Sequence, residues 1–149
     1  MQAQAQTLEI EWVLTHGDPN PDNFLKDQQG KLYLTDWGEL AIAPPERDLV
    51  AFTEIGIGRG LDTGIHVEFE CLLRHYLGIR PTAKLHPEIF AFYAYRWAMQ
   101  EIASCVTDLL SRRLELAEAD RLLFILQAYL PIRHAEMSQA LRELQDILD

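Results

Sequence analysis

The order of hydrophobic and polar positions divides the chain into two parts near residue 60. The first part is rich in Gly, Pro, Asn and Asp and holds only short apolar runs, which predicts short strands and loops. The second part repeats apolar residues at intervals of three and four, which predicts amphipathic helices. We therefore expect a mainly α-helical chain with a small β-hairpin, an α+β fold whose helices supply most of the core.

The short apolar runs of the first part predict three strands and one helix. They are Ile10–Thr15 (a strand, or a helix end leading into one), Asn23–Lys26, Lys31–Asp36 and, after a break at Ala43-Pro44-Pro45, a short helix over Glu46–Ile55. The turn Asp27-Gln28-Gln29-Gly30 predicts that the second and third segments form a hairpin. Such a hairpin brings Asn23 and Asp36 together at its open end.

Four helices are predicted in the second part. They cover His66–Leu77 with Gly78 as the stop, Pro87 to about Arg113, Leu116–Leu130, and a last helix opened by Pro131. Trp37 and Trp97 are predicted to pack in the core, with a binding role as the alternative for Trp37. Cys71 and Cys105 lie in apolar helical sequence, where a free cysteine is usually a small buried hydrophobe.

The residues that carry chemistry cluster between positions 15 and 38. Asp18 lies in a polar loop, Asn23 follows five residues later, and Asp36 is the last residue of the second strand of the predicted hairpin. Two carboxylates and an amide offer oxygen ligands that suit a hard divalent cation such as Mg²⁺. Asp18 is then free to orient or deprotonate an attacking hydroxyl.

This arrangement resembles the phosphoryl-transfer site of kinases, in which a loop Asp is followed by an Asn five residues later and by a second, metal-binding Asp. His16-Gly17-Asp18 and Asp36-Trp37-Gly38 are similar to the catalytic loop and the metal-binding turn. Together with the downstream run Ala43-Pro44-Pro45-Glu46-Arg47-Asp48-Leu49, they resemble the aminoglycoside phosphotransferase and choline kinase family, with spectinomycin phosphotransferases as the most similar subgroup.

The resemblance implies a role for each matching residue. Asp18 is the expected catalytic base, and Asn23 and Asp36 are the expected Mg²⁺ ligands beside the phosphates of ATP or GTP. His16 and Asp48 are expected to support the catalytic loop through hydrogen bonds. The implied fold is the C-terminal lobe of a protein-kinase-like enzyme.

Such a kinase also needs a glycine-rich phosphate loop and a strand lysine, which precede the catalytic loop by many residues. Only fifteen residues precede His16, and the three lysines all follow it. We expect residues 1–149 to form one domain that corresponds to the C-terminal lobe without its nucleotide lobe, and to transfer little phosphate alone. A fragment of a longer kinase and a natural short protein both remain open. The segment Gly56–Gly60 is expected to be a loop near the substrate side, not a phosphate cradle.

Net charge narrows the range of partners. The 149 residues contain 23 Asp and Glu against 13 Lys and Arg, a net charge of −10. This balance disfavours nucleic acid and suits a cationic small-molecule acceptor. An aminoglycoside or aminocyclitol is the expected acceptor, with choline-like or sugar-like alcohols as alternatives, and Glu39 and Trp37 are candidate contacts to it.

No apolar run is long enough for a membrane span, and the two cysteines favour a reducing cytoplasm. A non-catalytic binding or regulatory module on the same lobe is the alternative function.

Overall fold

The computed structural model describes residues 8–52, 69–111, 114–129 and 134–148. Contacts between residues divide the chain into two compact units. Among the described residues, the first unit contains 8–52 and 69–90, and the second contains 91–111, 114–129 and 134–148. The predicted Gly56–Gly60 loop lies outside the described residues.

The first unit holds two antiparallel ribbons of two strands each. Its strands are β1 (Val13–Thr15), β2 (Phe24–Lys26), β3 (Leu32–Leu34) and β4 (Ala41–Ala43). Strand β1 pairs with β4, and β2 pairs with β3 to form the predicted hairpin. The β1–β4 pairing joins residues that are 26 to 30 positions apart in the sequence. Both ends of the segment between the two strands are therefore held at the same ribbon.

The helices of the structure are α1 (Glu46–Leu49), α2 (Phe69–Ile79), α3 (Pro87–Ser111), α4 (Leu116–Tyr129) and α5 (His134–Leu148). A 3-10 turn over Val50–Phe52 continues α1, and two further 3-10 turns cover Pro21–Asn23 and Trp37–Glu39. Helix α3 begins in the first unit and continues into the second. Pro87 stands at its first position, where a missing backbone N–H costs nothing.

Asp27 builds the turn of the β2–β3 hairpin. Its Oδ1 accepts hydrogen bonds from the backbone nitrogens of Gln29 and Lys31 at 3.0 and 2.8 Å. Gly30 has φ +84°, a left-handed conformation that glycine adopts without a steric penalty. The local sequence therefore specifies this turn without help from distant residues.

Each unit has its own buried apolar residues. In the first unit they are Ala43, Leu49, Val50, Leu73, Ile89 and Phe90. In the second unit α3 buries Ala91, Ala94, Ala98 and Cys105, and α5 buries Leu144. These four positions of α3 follow one another at intervals of three, four and seven residues, the spacing of one helix face.

The predicted fold class, mainly helical with a small hairpin, is confirmed. Strand β4 (Ala41–Ala43) was not predicted, but it ends at the predicted break Ala43-Pro44-Pro45, and α1 begins at Glu46 as expected. Helix α2 runs through Gly78 to Ile79, so Gly78 is not the stop. Cys105 is buried as expected and burial raises the pKa of its thiol, whereas Cys71 is exposed and its predicted burial was wrong.

Within the described residues, every helix is too short or too polar to cross a lipid bilayer.

Candidate active site

The carboxylate of Asp48 holds the start of the loop between β1 and β2, which we call the catalytic loop (residues 16–23). Asp48 lies on α1, and its Oδ2 accepts the backbone N–H of His16 at 2.7 Å. Its Oδ1 accepts the N–H of Gly17, also at 2.7 Å. Hydrogen bonds to an ionised carboxylate are short and strong. One side chain thus fixes two consecutive peptide units directly before Asp18.

The ring of His16 joins the catalytic loop to the end of the hairpin. Its Nε2 lies 2.8 Å from the carbonyl oxygen of Thr35, and its Nδ1 accepts the backbone N–H of Asp18 at 3.3 Å. A carbonyl oxygen only accepts, so Nε2 carries the proton and His16 is the neutral tautomer in this arrangement. His16 is buried, and its hydrogen bonds set the distance between Asp18 and the residue before Asp36.

Two amide side chains orient the carboxylate of Asp18. Asn20 Nδ2 donates to Asp18 Oδ1 at 2.8 Å, and Asn23 Nδ2 donates to Asp18 Oδ2 at 3.1 Å. Asn23 Nδ2 also donates to the backbone oxygen of Asp18 at 2.7 Å. Each carboxylate oxygen has two lone pairs, so each keeps one for a substrate hydroxyl.

Asn23 and Asp36 are neighbours across the open end of the hairpin. The backbone N–H and the hydroxyl of Thr35 both donate to the Asn23 carbonyl, at 2.9 and 3.1 Å. Asp36 follows in a left-handed conformation, φ 61° and ψ 64°, and is exposed. Asp is one of the few non-glycine residues that tolerate this conformation.

The donor set formed by Asn23 and Asp36 fits a hard divalent cation. Because Nδ2 of Asn23 is directed at Asp18, its Oδ1 is the amide atom left to ligate. One amide oxygen and one exposed carboxylate match the few protein ligands that Mg²⁺ takes when phosphates and waters complete its shell. Over the described ranges, no three His, Cys, Asp or Glu side chains form a metal-binding cluster.

Trp37 is not a core residue, so the predicted core position was wrong. It is 49% exposed, and its Nε1 donates to the carbonyl oxygen of Leu34 at 2.9 Å. Its ring meets the His16 ring edge-on, with centroids 4.7 Å apart. Trp37 therefore closes the turn after Asp36 and leaves half of its surface open beside the catalytic loop.

Glu39 is the last residue of the same turn, and Arg47 contacts its carboxylate. Its Oε2 lies 3.5 Å from Arg47 Nη2, while 66% of its side chain remains exposed. The structure thus brings His16, Asp18, Asn23 and Asp48 into one hydrogen-bonded group. Among these described residues, the carboxylate of Asp36 makes no hydrogen bond to the side chains of Asp18 or Asn23, and it is connected to them through Thr35.

Sequence reasoning missed Asn20, Thr35 and Arg47 as parts of this site. A local signal existed for Asn20, because an Asn directly before a Pro at the start of a helical turn is a typical cap. Its Oδ1 accepts the N–H of Asp22 at 2.9 Å, which directs its amide nitrogen toward Asp18. Thr35 and Arg47 act through contacts that are distant in sequence, and local patterns carry no such signal.

The part of the chain that contains this site is similar to known proteins. Residues 1–70 match the model of the phosphotransferase enzyme family, a range that includes the whole catalytic loop, the hairpin and α1. Protein StrN of Streptomyces griseus is 31% identical to this chain over 119 residues. That match covers 80% of this chain and 30% of StrN.

A solved structure has the same fold. The spectinomycin phosphotransferase APH(9)-Ia, in complex with ADP and spectinomycin, superposes with a TM-score of 0.62 at 20% identity. The superposition covers 95% of this chain and 42% of APH(9)-Ia. The chain therefore spans less than half the length of these relatives, 30% of StrN and 42% of APH(9)-Ia.

Proposed function

We propose that this chain, whose residues 1–70 match the phosphotransferase enzyme family, is the catalytic-loop and acceptor-binding lobe of a small-molecule kinase. The reaction is transfer of the γ-phosphate of ATP, or of GTP, to a hydroxyl group of a small cationic acceptor. Asp18 is the catalytic base, Asn23 and Asp36 are the metal ligands, and His16 and Asp48 support the loop.

The observation that carries this proposal is the fixed carboxylate of Asp18. Both of its oxygens accept an amide N–H, from Asn20 and from Asn23, while the peptide units before it are held by Asp48. A carboxylate fixed in this way can accept a hydrogen bond from an acceptor hydroxyl and align its oxygen for attack. Phosphoryl transfer depends mostly on such positioning, together with neutralisation of charge.

Asn23 Oδ1 and the Asp36 carboxylate would hold a Mg²⁺ ion, which when bound neutralises the negative charge of the nucleotide phosphates. The protein's own contribution is to keep these two groups at a constant separation from Asp18. The Asn23–Thr35 hydrogen bonds and the His16–Thr35 hydrogen bond provide that constraint. The loop and the hairpin end therefore behave as one preorganised site.

An aminoglycoside or aminocyclitol is the acceptor that we favour. The relative APH(9)-Ia is described with ADP and spectinomycin. The net charge of −10 also attracts a cationic ligand. Trp37 and Glu39 offer an exposed ring face and an exposed carboxylate beside the catalytic loop. Choline-like and sugar-like alcohols are the alternative acceptors.

Phosphate transfer needs groups that grip the nucleotide, and the residues proposed above do not include them. We therefore expect the 149-residue chain to transfer little phosphate alone. The first experiment is to measure the intact mass of the native polypeptide that contains this sequence and to assay that polypeptide. Purified protein is mixed with Mg²⁺ and radiolabelled ATP or GTP and tested with spectinomycin, other aminocyclitols, aminoglycosides, choline and neutral sugars.

We expect phosphate transfer to at least one cationic acceptor, with a loss of about 10²- to 10⁴-fold in Asp18→Asn. Asp22→Asn, an exposed residue on the same loop, is the matched control and should keep its activity. Transfer that is equal in Asp18→Asn and the wild type would contradict the assignment. Binding of a cationic ligand that depends neither on Mg²⁺ nor on nucleotide, without any transfer, would support the non-catalytic module instead.

A further inference from the structure

Arg47 lies on α1 between Glu46, which binds the start of α3, and Asp48, which binds the catalytic loop. The side chain of Arg47 is itself almost completely buried. Its side chain is 8% exposed, and Nη1 donates to the hydroxyl of Thr15 at 2.8 Å. That hydroxyl in turn donates to the carbonyl oxygen of Ala41 at 2.9 Å. The guanidinium is therefore fixed against the β1–β4 ribbon, at the end of β1 where the catalytic loop begins.

Gly17 packs against this guanidinium with no room for a side chain. A Cβ atom at position 17 would lie 2.6 Å from Arg47 Cζ and 2.7 Å from Nη1. Gly17 also has φ +95°, a conformation that L-residues rarely adopt. Two independent constraints thus require glycine immediately before Asp18, and one of them is the position of Arg47.

The same guanidinium reaches the other half of the site. Its Nη2 lies 3.5 Å from Glu39 Oε2, and Glu39 ends the 3-10 turn that begins at Trp37, directly after Asp36. Arg47 therefore contacts the residue before Asp18 and the last residue of the turn that follows Asp36. The planar fork of an arginine can make these contacts at once, whereas the point charge of a lysine cannot.

We propose that Arg47 is a positioning residue. It fixes the catalytic loop relative to the β1–β4 ribbon and to the turn after Asp36, and Gly17 is the residue of the loop that packs against it. This proposal rests on the proposed phosphotransferase function. Arg47 touches no reacting atom in this role, because it acts on Asp18 through Gly17 and Thr15. A displacement of about 1 Å at a catalytic group is enough to lower a rate by roughly 10²-fold.

The first arm of the test is a double-mutant cycle on the 149-residue chain, combining Gly17→Ala with Arg47→Ala and following unfolding by urea. Gly17→Ala should lower the folding equilibrium constant strongly when Arg47 is present. It should do so about tenfold less in the Arg47→Ala background, where only the cost of the positive φ remains. Additive effects of the two substitutions would overturn the packing of Arg47 on Gly17. If Gly17→Ala does not fold, recovery of folding in the double variant supports that packing, and failure of the double variant while Arg47→Ala folds overturns it.

The second arm is kinetic and uses the native polypeptide that transfers phosphate. Arg47→Lys keeps the charge and should lower kcat by about tenfold or more, with less than a threefold change in KM for nucleotide and acceptor. Arg80→Lys is the control, since Arg80 is an exposed arginine of the same unit that pairs with Glu11. Its kcat should stay at the wild-type value.

The two arms separate the proposals. An unchanged kcat in Arg47→Lys, in a wild-type background that transfers phosphate, overturns the positioning role alone. A loss that appears only in KM also overturns it, because it indicates a binding contact. Absence of transfer by the wild-type polypeptide overturns the proposed function and the catalytic role of Arg47 together, while the first arm still decides whether Arg47 holds the loop.

Discussion

Asp48 Oδ1 lies 2.7 Å from the backbone nitrogen of Gly17, and the other oxygen of the same carboxylate binds the neighbouring nitrogen of His16. The two residues are 31 positions apart. Gly17 lies between β1 and the 3-10 turn at Pro21, so no strand or helix supplies a partner for its N–H, and an unpaired N–H is costly away from water. The carboxylate of α1 supplies that partner, and the position of Asp18 follows from it.

Replacing Asp48 with Asn tests this relationship. The amide keeps one acceptor oxygen, so one of the two N–H groups faces an NH₂ group and loses its partner. We expect a loss of about 1.5–3 kcal/mol in the free energy of unfolding, measured with urea. Asp22→Asn, in an exposed residue of the same loop, should change stability by less than about 0.5 kcal/mol. Equal effects of the two variants would contradict the role assigned to Asp48.

Substitutions at Asn20 should separate loop stability from catalysis. Asn20→Ala removes both the cap on the Asp22 N–H and the donor to Asp18, and should lower stability by about 1 kcal/mol. Asn20→Ser restores a capping oxygen but is too short to reach Asp18. We therefore expect near-native stability with a kcat still lowered by roughly tenfold in the native polypeptide. Recovery of full activity in Asn20→Ser would show that the contact with Asp18 is unimportant.

Replacing Gly30 and Gly78 with alanine should change the free energy of unfolding in opposite directions. Gly30→Ala has room for its Cβ, whose nearest neighbour is Lys26 Cε at 3.6 Å, but must adopt φ +84°. It should lose about 1–2 kcal/mol. Gly78 is exposed on α2 and nothing lies within 4 Å of a Cβ there, so Gly78→Ala should gain about 0.5–1 kcal/mol. Urea unfolding of both variants provides the comparison, and the same sign for both would contradict it.

Glu46 should make stability depend on pH. Its Oε1 accepts the N–H of His86 at 2.7 Å, and its Oε2 is buried without a hydrogen-bond partner among the described residues. Burial raises the pKa of Glu46 above its usual 4.5, while His86 and Glu11 are the charged groups that face it, with opposite effects. The folded chain therefore holds this proton more tightly than the unfolded chain.

The sign of the effect follows from that difference. Stability from this group is fully present below pH 4.5 and declines as pH rises from there to the raised pKa. Glu46→Gln keeps an acceptor for His86 and stays neutral. Between pH 4.5 and the raised pKa, we expect the free energy of unfolding of Glu46→Gln to exceed that of the wild type by an amount that grows with pH. Below pH 4.5, the difference between the two free energies should stay constant. Glu118→Gln, in an exposed residue of α4, should show no such divergence in urea titrations at several pH values.

The elements that local chemistry specifies were predicted well. The hairpin turn was predicted because Asp27 and Gly30 build it from four consecutive residues. The long helices were predicted because apolar spacing and Pro87 mark their faces and starts. Strand β4 was missed, because a run of three residues becomes a strand only when β1 lies beside it.

The proposed catalytic and metal-binding residues of the candidate site were predicted from the sequence, whereas some of their contacts were not. The residue types and spacing of Asp18, Asn23 and Asp36 are present in the sequence, and they are sufficient to indicate a family and a class of chemistry. The exposed position of Trp37 was not predicted, since it depends on how the loop and the hairpin end meet. The hydrogen bond between Asn20 and Asp18 was missed although it is local, within one loop.

By itself, the sequence of this protein determined the local elements and the identity of the chemical groups, because both depend on residues close together along the chain. Only the tertiary structure decided how those groups are held. Arg47 and Asp48 reach the catalytic loop from about 30 residues away, one through its guanidinium and one through its carboxylate. The separation of Asp18 from the Asp36 turn is therefore a property of packing, because it depends on contacts between α1, the β1–β4 ribbon and the hairpin.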